Sequence, residues 1–248
     1  MVAPDEPVEL ADSSERFVSR GGEKLHGALH ALGIDPSGRR CLDAGASTGG
    51  FTDCLLRHGA RSVVAVDVGA GQLHERLRAD SRVRIYEKTN LRTAELADLG
   101  GRPFELVVAD LSFISLKLVV PVLAGAFCQP GADLLVLVKP QFEAGRTTAS
   151  RARGVIRDPT VWREALAGVA EAFCAVGARV GAVVPSALKG AKGNVEFFMA
   201  AWAPDATRAP LAQAETDELI RRAVAEALME VPIGARLARM RSAEDSEG

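Results

Sequence analysis

Apolar residues return along this chain in two alternating rhythms. In "GGEKLHGALHALG", Leu25, Ala28, Leu29 and Leu32 recur every three or four residues and stop at a glycine, which predicts a helix over Gly21–Gly33. Beyond it, short apolar runs alternate with amphipathic stretches. The pattern predicts strands at Arg40–Ala44, Ser62–Val68, Val83–Tyr86, Phe104–Ala109 and Ala132–Val138, with helices at Thr48–Arg57, Gly71–Ala79 and Lys117–Phe127. A helix at Pro159–Cys174 and strands at Gly181–Pro185 and Val195–Trp202 complete it. Runs such as "LVVAD" and "LLVLVK" have no polar alternate face, so both faces of those strands are expected to be covered. Strands alternating with helices imply parallel crossovers in a doubly wound α/β sheet. Only "SALKGAKGN" separates the last two strands, too little for a crossover helix, so they are expected to pair antiparallel.

Past Pro204 the composition changes. "TDELIRRAVAEALMEV" carries Thr216 and Glu218 as start signals and Ile220, Val224 and Leu228 in one stripe, predicting a terminal helix packed on the core or on a partner. The closing "RSAEDSEG" is polar and reads as a disordered tail. The expected divisions are an acidic segment over 1–15, one domain over 16–204 and an extension over 205–248.

The bulk numbers exclude several classes. With 48% hydrophobic and 25% charged residues the chain is of ordinary globular composition, and no apolar run approaches the roughly 20 residues of a membrane span. The start has no basic and no apolar region of a secretory signal, so a cytoplasmic protein is expected. Cys41, Cys54, Cys128 and Cys174 are widely spaced in apolar contexts and read as buried thiols; neither a disulfide nor a metal is expected. The net charge of −2 hides an asymmetry: residues 1–15 and 205–248 are acidic, and 16–204 carry a surplus of six positive charges.

"CLDAGASTGG", residues 41–50, admits three readings. Gly45-Ala46-Ser47-Thr48-Gly49 matches the G-x-S-x-G turn that presents a nucleophilic serine, but a triad needs a later histidine, and the last is His74. A dinucleotide loop would explain Asp67, 22 residues after Gly45, as a ribose ligand. Against it, Ser47 stands where a glycine lets pyrophosphate approach, and Asp43 adds negative charge beside an anion. A ligand with adenosine, no phosphate and a cationic sulfonium suits Asp43 instead, and that ligand is S-adenosylmethionine. The two acids close consecutive strands at a switch point, and "EKTN" after the third strand brings Asn90 toward the adenine. The sheet is then that of a class I methyltransferase, Rossmann-like and mostly parallel with an antiparallel C-terminal hairpin, an analogy of fold alone.

Asp110 closes the fourth strand, Lys139 the fifth, Lys24 lies on the first helix and Glu196 opens the last strand. Lys139 follows "LLVLV", so its stem is carried inside and its ammonium must find acids or a polar cleft. Together "SRGGEKL", "LDAGASTGGFTDCLL", "AVDVG", "TNLR", "ADLSFISL", "VKPQFEAGR" and "KGNVEFF" resemble the TlyA (hemolysin A) family, within the FtsJ-like ribose 2′-O-methyltransferases, over roughly residues 16–202. The resemblance implies a catalytic tetrad at Lys24, Asp110, Lys139 and Glu196. It implies an S-adenosylmethionine site at Asp43, Gly45, Ala46, Ser47, Thr48, Gly49, Gly50, Phe51, Asp67, Val68, Asn90, Leu91 and Asp110. In such a tetrad the carboxylates hold the lysines, and repulsion between two ammonium groups favours a neutral amine able to take the hydroxyl proton.

Members of that family that modify ribosomal RNA carry an S4-type RNA-binding domain ahead of the segment matching "RFVSRGGEKL". Here fifteen residues precede Arg16, so that module is expected to be missing, and residues 205–248 lie outside the family pattern. Three functions stay open: ribose 2′-O-methylation of RNA, with Arg146, Arg151, Arg153, Lys189 and Lys192 on phosphates; O-methylation of a nucleoside-like small molecule; and a non-catalytic RNA-associated or membrane-acting role. No membrane partner is expected, and the oligomeric state is open, with the C-terminal helix one contact surface.

Overall fold

A computed structural model describes residues 16–145, 150 and 152–229 of the 248-residue chain. The acidic segment 1–15, Arg146, Arg151 and the predicted disordered tail lie outside the described residues. Seven strands, β1 (Arg40–Ala44), β2 (Ser62–Val66), β3 (Val83–Tyr86), β4 (Phe104–Ala109), β5 (Cys128–Val138), β6 (Arg179–Pro185) and β7 (Phe197–Trp202), form one sheet in the order β3-β2-β1-β4-β5-β7-β6. The first five pair in parallel, while β7 lies between β5 and β6 and runs antiparallel to both. The predicted hairpin is therefore present, its second strand turned inward.

Residue alternation sorts side chains to the two faces. On one, Cys41, Leu106, Val108 and Leu135 pack with Leu25 and Leu29 of α1 (Arg20–Leu32) and with Phe51 and Leu55 of α2 (Gly50–Arg57). On the other, Leu42, Val107, Leu134 and Val136 meet Leu166, Val169 and Phe173 of the long helix Pro159–Ala175 and Ile220 and Val224 of the last helix, Gln213–Leu228. Strands covered on both sides need apolar residues at every position, hence the unbroken runs. The last helix packs on the body of the chain, against the long helix and β6.

Several predicted boundaries move for local reasons. The helix expected over Lys117–Phe127 is a 3-10 turn (Leu116–Leu118), one α-helical turn (Val120–Val122) and a π-turn (Leu123–Phe127). Pro121 lies inside it, and a proline there removes a backbone donor and clashes with the preceding turn. β2 ends at Val66, leaving Asp67 and Val68 in the loop beyond, and the helix expected over Gly71–Ala79 is the single turn α3, Glu75–Arg78. β5 begins earlier, at Cys128, and β6 at Arg179, whereas β7 begins at Phe197, so Glu196 precedes it. The helix placed at Thr48 starts at Gly50, and an unforeseen turn, Pro140–Glu143, follows β5. Thr216 is inside the last helix, where Glu215 accepts from the Ala212 amide at 3.0 Å.

The order of strands makes β1 and β4 neighbours although the chain leaves β1 for β2 on its other side. A crevice opens outside their carboxyl ends, as it does at every such switch in an α/β sheet. Arg16, His26 and His58 tie the entry to α1 onto α2. Arg16 donates to His26 Nε2 at 2.9 Å, and since a guanidinium only donates, a neutral His26 carries its proton on Nδ1 and donates it to His58 Nε2, also at 2.9 Å.

Burial and the charge of Arg16 hold both imidazoles below their usual range, with neighbouring histidines adding to it and Asp35 opposing it at His58. The unfolded chain binds protons more readily, so stability is complete above about pH 6.5 and is lost as pH falls below it. Urea unfolding at pH 7.5 and 5.5 checks this: the loss of stability on acidification is expected to be smaller in His58→Asn than in the parent protein.

Candidate active site

Two clefts open outside β1 and β4. The larger, about 380 Å³, lies between the loop after β2 and the loop after β4, and is lined by Asp67, Val68, Asn90 and Leu91 on one side and by Leu111, Phe113 and Ile114 on the other. The smaller, about 240 Å³, is lined by Arg20, Lys24, Ala46, Thr48, Gly50, Phe51, Lys139 and Lys189. Gly45, Ser47, Asp110 and Ser112 line both, so the two clefts meet over the glycine turn.

The turn itself is built to keep that junction open. Gly45 has φ of 89°, and a Cβ there would lie 2.7 Å from the Asp110 carbonyl oxygen, so β1 and the end of β4 close on each other only over a glycine. Ser47 is also in the left-handed region, its amide donating to Asp67 Oδ2 at 2.8 Å and its hydroxyl meeting Gln72 rather than an imidazole. Asp67 Oδ1 accepts from the Gly69 amide at 2.7 Å. Two backbone amides thus fix this carboxylate at the wall of the larger cleft, with lone pairs left for a diol.

Asp43 departs from its expected place. It is fully buried beneath the turn and lines neither cleft; Oδ2 accepts from the Thr52 hydroxyl at 2.6 Å, and Oδ1 has no hydrogen-bond partner among the described residues. Loss of hydration, reinforced by Asp110 and Asp67, pushes its carboxyl up to about 7 against the opposing Thr52 hydrogen bonds. It is therefore not a contact residue of either cleft. Gly49 is likewise part of the turn without lining either cleft, packed against Leu73 and Leu77. Of the "EKTN" segment, Asn90 and Thr89 line the larger cleft, whereas Glu87 is bonded to the Gly71 amide and to Arg78.

Lys24, Asp110, Lys139 and Glu196 come together from four distant elements as two ion pairs. Lys24 Nζ lies 2.6 Å from Glu196 Oε2, and Lys139 Nζ lies 2.6 Å from Asp110 Oδ1. Both lysines are under a tenth exposed. The lysine–lysine repulsion on which the sequence argument relied is offset by a carboxylate facing each ammonium. Lys24 is placed by the docking of α1 on α2, where the Val18 amide donates to buried Asp53 at 2.9 Å and Phe17 is buried. Glu196 sits directly against Gly190, where a Cβ would fall 2.0 Å from Oε1, and Gln141 Nε2 reaches that oxygen at 3.5 Å. Among the expected loop bases, Lys189 lines the smaller cleft, while Arg153 and Lys192 are exposed away from both.

Sequence reasoning missed four contributors. Ser112 accepts from Lys139 Nζ at 2.9 Å. Phe113 is 92% exposed at φ of 65°, its ring 5.1 Å from that of Phe142 beside the lysine. Buried Glu143 accepts from the Leu116 amide at 2.7 Å and from the Ser115 hydroxyl, tying down the loop that carries both. Arg20, at the mouth of the smaller cleft, holds the Lys189 carbonyl at 2.9 Å. An aromatic in a loop, outside any apolar period, was the signal available for Phe113.

The FtsJ-like methyltransferase family matches residues 17–203. The 16S/23S rRNA (cytidine-2′-O)-methyltransferase TlyA of Mycobacterium tuberculosis is 46% identical over 217 residues, 88% of this chain and 79% of that protein. Hemolysin A of Brachyspira hyodysenteriae is 40% identical over 183 residues, 74% of this chain and 75% of that one. A solved structure from Streptococcus thermophilus, of a hemolysin candidate, superposes with a TM-score of 0.78 at 38% identity, over 86% of this chain and 76% of that one.

The buried Asp43 has a measurable signature. With its folded-state pKa at about 7, above the ordinary carboxylate value, the folded chain binds a proton that the unfolded chain releases, so this residue's contribution to stability falls as pH rises from about 4 to about 7. In chemical denaturation across that range, Asp43→Asn is expected to remove this downward component; an unchanged pH dependence would show that the carboxyl is not protonated there.

Proposed function

Because the chain belongs to the FtsJ-like methyltransferase family, we propose that it methylates the 2′-hydroxyl of a ribose in RNA from S-adenosylmethionine, with cytidine in ribosomal RNA as the target. The observation that carries this reading is the pair of buried ammonium–carboxylate contacts in a cleft that joins an adenosine-sized one at a glycine turn. The name of the Mycobacterium tuberculosis relative supports the choice of cytidine and of ribosomal RNA.

The larger cleft fits the donor. Its volume is within the usual range for small-ligand sites, and its walls are largely apolar beside the fixed Asp67 carboxylate. Asp67 would accept from the ribose hydroxyls, Val68, Leu91 and Ile114 would flank the adenine, and Asn90, whose Oδ1 is engaged by the Arg92 amide at 3.0 Å, offers its amide nitrogen to a ring acceptor. When bound, S-adenosylmethionine supplies an electrophilic methyl on a cationic sulfur. Asp67 and Asp110, which follow β2 and β4, line this cleft, and their charge favours that cation over the neutral thioether left after transfer.

The remaining work is positioning and proton removal. The smaller cleft would bring the sugar hydroxyl to the junction with the donor's methyl, and Lys139, once its ammonium has given up a proton to solvent, would take the hydroxyl proton on the lone pair of the neutral amine. Lys24, held by Glu196, stabilises negative charge on the oxygen as that proton leaves. Arg20 and Lys189 rim the mouth as cations suited to flanking phosphates, and the exposed Phe113 ring offers a face to a base turned out of its stack. We read residues 16–204 as the catalytic unit and the last helix as an extension packed upon it. Among the described residues no helix is long and apolar enough to cross a membrane, which suits an enzyme acting on RNA in the cytoplasm.

Nucleoside mass spectrometry of ribosomal RNA incubated with isotopically labelled donor tests the proposal. The parent protein is expected to yield labelled 2′-O-methylcytidine and Lys139→Ala none, with donor affinity unchanged; normal turnover in that variant would remove Lys139 from the chemistry. Phe113→Ala is expected to weaken RNA binding by roughly tenfold, as loss of one base stack does, without changing donor affinity.

A further inference from the structure

Lys139 has three ammonium positions and two fixed neighbours. Its Nζ is 2.6 Å from Asp110 Oδ1, yet among the described residues that oxygen receives no directed hydrogen bond. The directed bond goes to Ser112 Oγ at 2.9 Å. Charge attraction depends on distance alone, whereas a hydrogen bond weakens steeply off its axis. Asp110 therefore fixes how far the amine sits from it, and leaves the direction of the nitrogen's remaining positions open. Ser112 supplies the second constraint. It also lines both clefts, at the place where donor and acceptor must meet. Hydrogen bonds hold the chain on either side of it: Glu143 accepts from the following Ser115 and Leu116, and the Asp110 amide donates to the Ala44 carbonyl at 3.0 Å.

We propose that Ser112 is a positioning residue of the methyl transfer: by accepting an N–H of Lys139 Nζ it turns the lone pair of the neutral amine, formed once the ammonium proton has left to solvent, toward the junction of the two clefts, where the sugar hydroxyl gives up its proton. The inference rests on the ribose-methylation reading for the reaction; the contact itself does not. A surface serine with a merely structural role would be replaceable by alanine.

Three proteins test it: the parent, Ser112→Ala and Ser112→Thr, which keeps the hydroxyl. In single turnover, Ser112→Ala is expected to slow methyl transfer by roughly tenfold to a hundredfold, with RNA and donor affinity unchanged and the pH of half-maximal rate displaced; Ser112→Thr restores rate and profile. A second readout needs no RNA: trace acetylation with acetic anhydride, read by peptide mass spectrometry, is expected to change in rate at Lys139 in Ser112→Ala and to stay constant at Lys24. Full turnover in Ser112→Ala, a loss confined to RNA affinity, failure of threonine to rescue, or identical Lys139 labelling in all three proteins overturns the role. If the parent protein methylates no RNA, the reading of the reaction fails, and the labelling still decides whether Ser112 governs Lys139.

Discussion

Lys24, Asp110 and Lys139 line one small cleft, with Glu196 paired to Lys24 at its edge, and four separate elements hold these charges together. Removing water from Lys24, Lys139 and Glu196 is costly, and a buried ion pair recovers the loss only when geometry is good. Each partner is accordingly over-determined. α1 reaches its place through the Val18–Asp53 contact; Asp110 and Lys139 are carried by the ends of adjacent parallel strands; Glu196 is pressed between Gly190 and Lys24 at the start of the inserted antiparallel strand. The antiparallel edge thus brings a carboxylate from the end of the chain's core to a helix at its beginning.

The acids at the glycine turn perform separate tasks although they close neighbouring strands. Asp67 is held open to the larger cleft by two backbone amides. Asp110 faces the lysine across the junction. Asp43 lies below, fully buried against the Thr52 hydroxyl, with burial pushing its carboxyl up to about 7, so it serves the packing under the turn rather than contact with the cleft. A serine at position 47 is compatible with this division, because its backbone amide fixes Asp67 and its hydroxyl meets Gln72.

Much of this was legible in the chain because strands covered on both faces declare themselves as unbroken apolar runs, and polar residues that close such runs stand out. Asp67, Asp110 and Lys139 were found in that way. Lys24 and Glu196 were not: a lysine on an amphipathic helix and a glutamate at a strand's edge are ordinary, and only the resemblance of the flanking motifs marked them. Asp43 was placed in the cleft on grounds of charge, but alternation along β1 puts it on the face of Cys41, covered by α2, and Thr52 on that helix is its partner. The break at Pro121 was equally visible and outweighed by the apolar rhythm around it. Ser112 and Phe113 escaped because loops have no period.

The Lys24–Glu196 pair can belong to the chemistry or to the fold, and substitution of both partners together separates these roles. Deleting one member of a buried pair costs about 3–5 kcal/mol by stranding the other, whereas neutralising both together is often harmless to stability. The double variant Lys24→Met, Glu196→Gln should therefore unfold at a denaturant concentration close to that of the parent and bind donor normally, while transferring no methyl to ribose. Methyl transfer at the parental rate by this folded, donor-binding double variant would contradict the account.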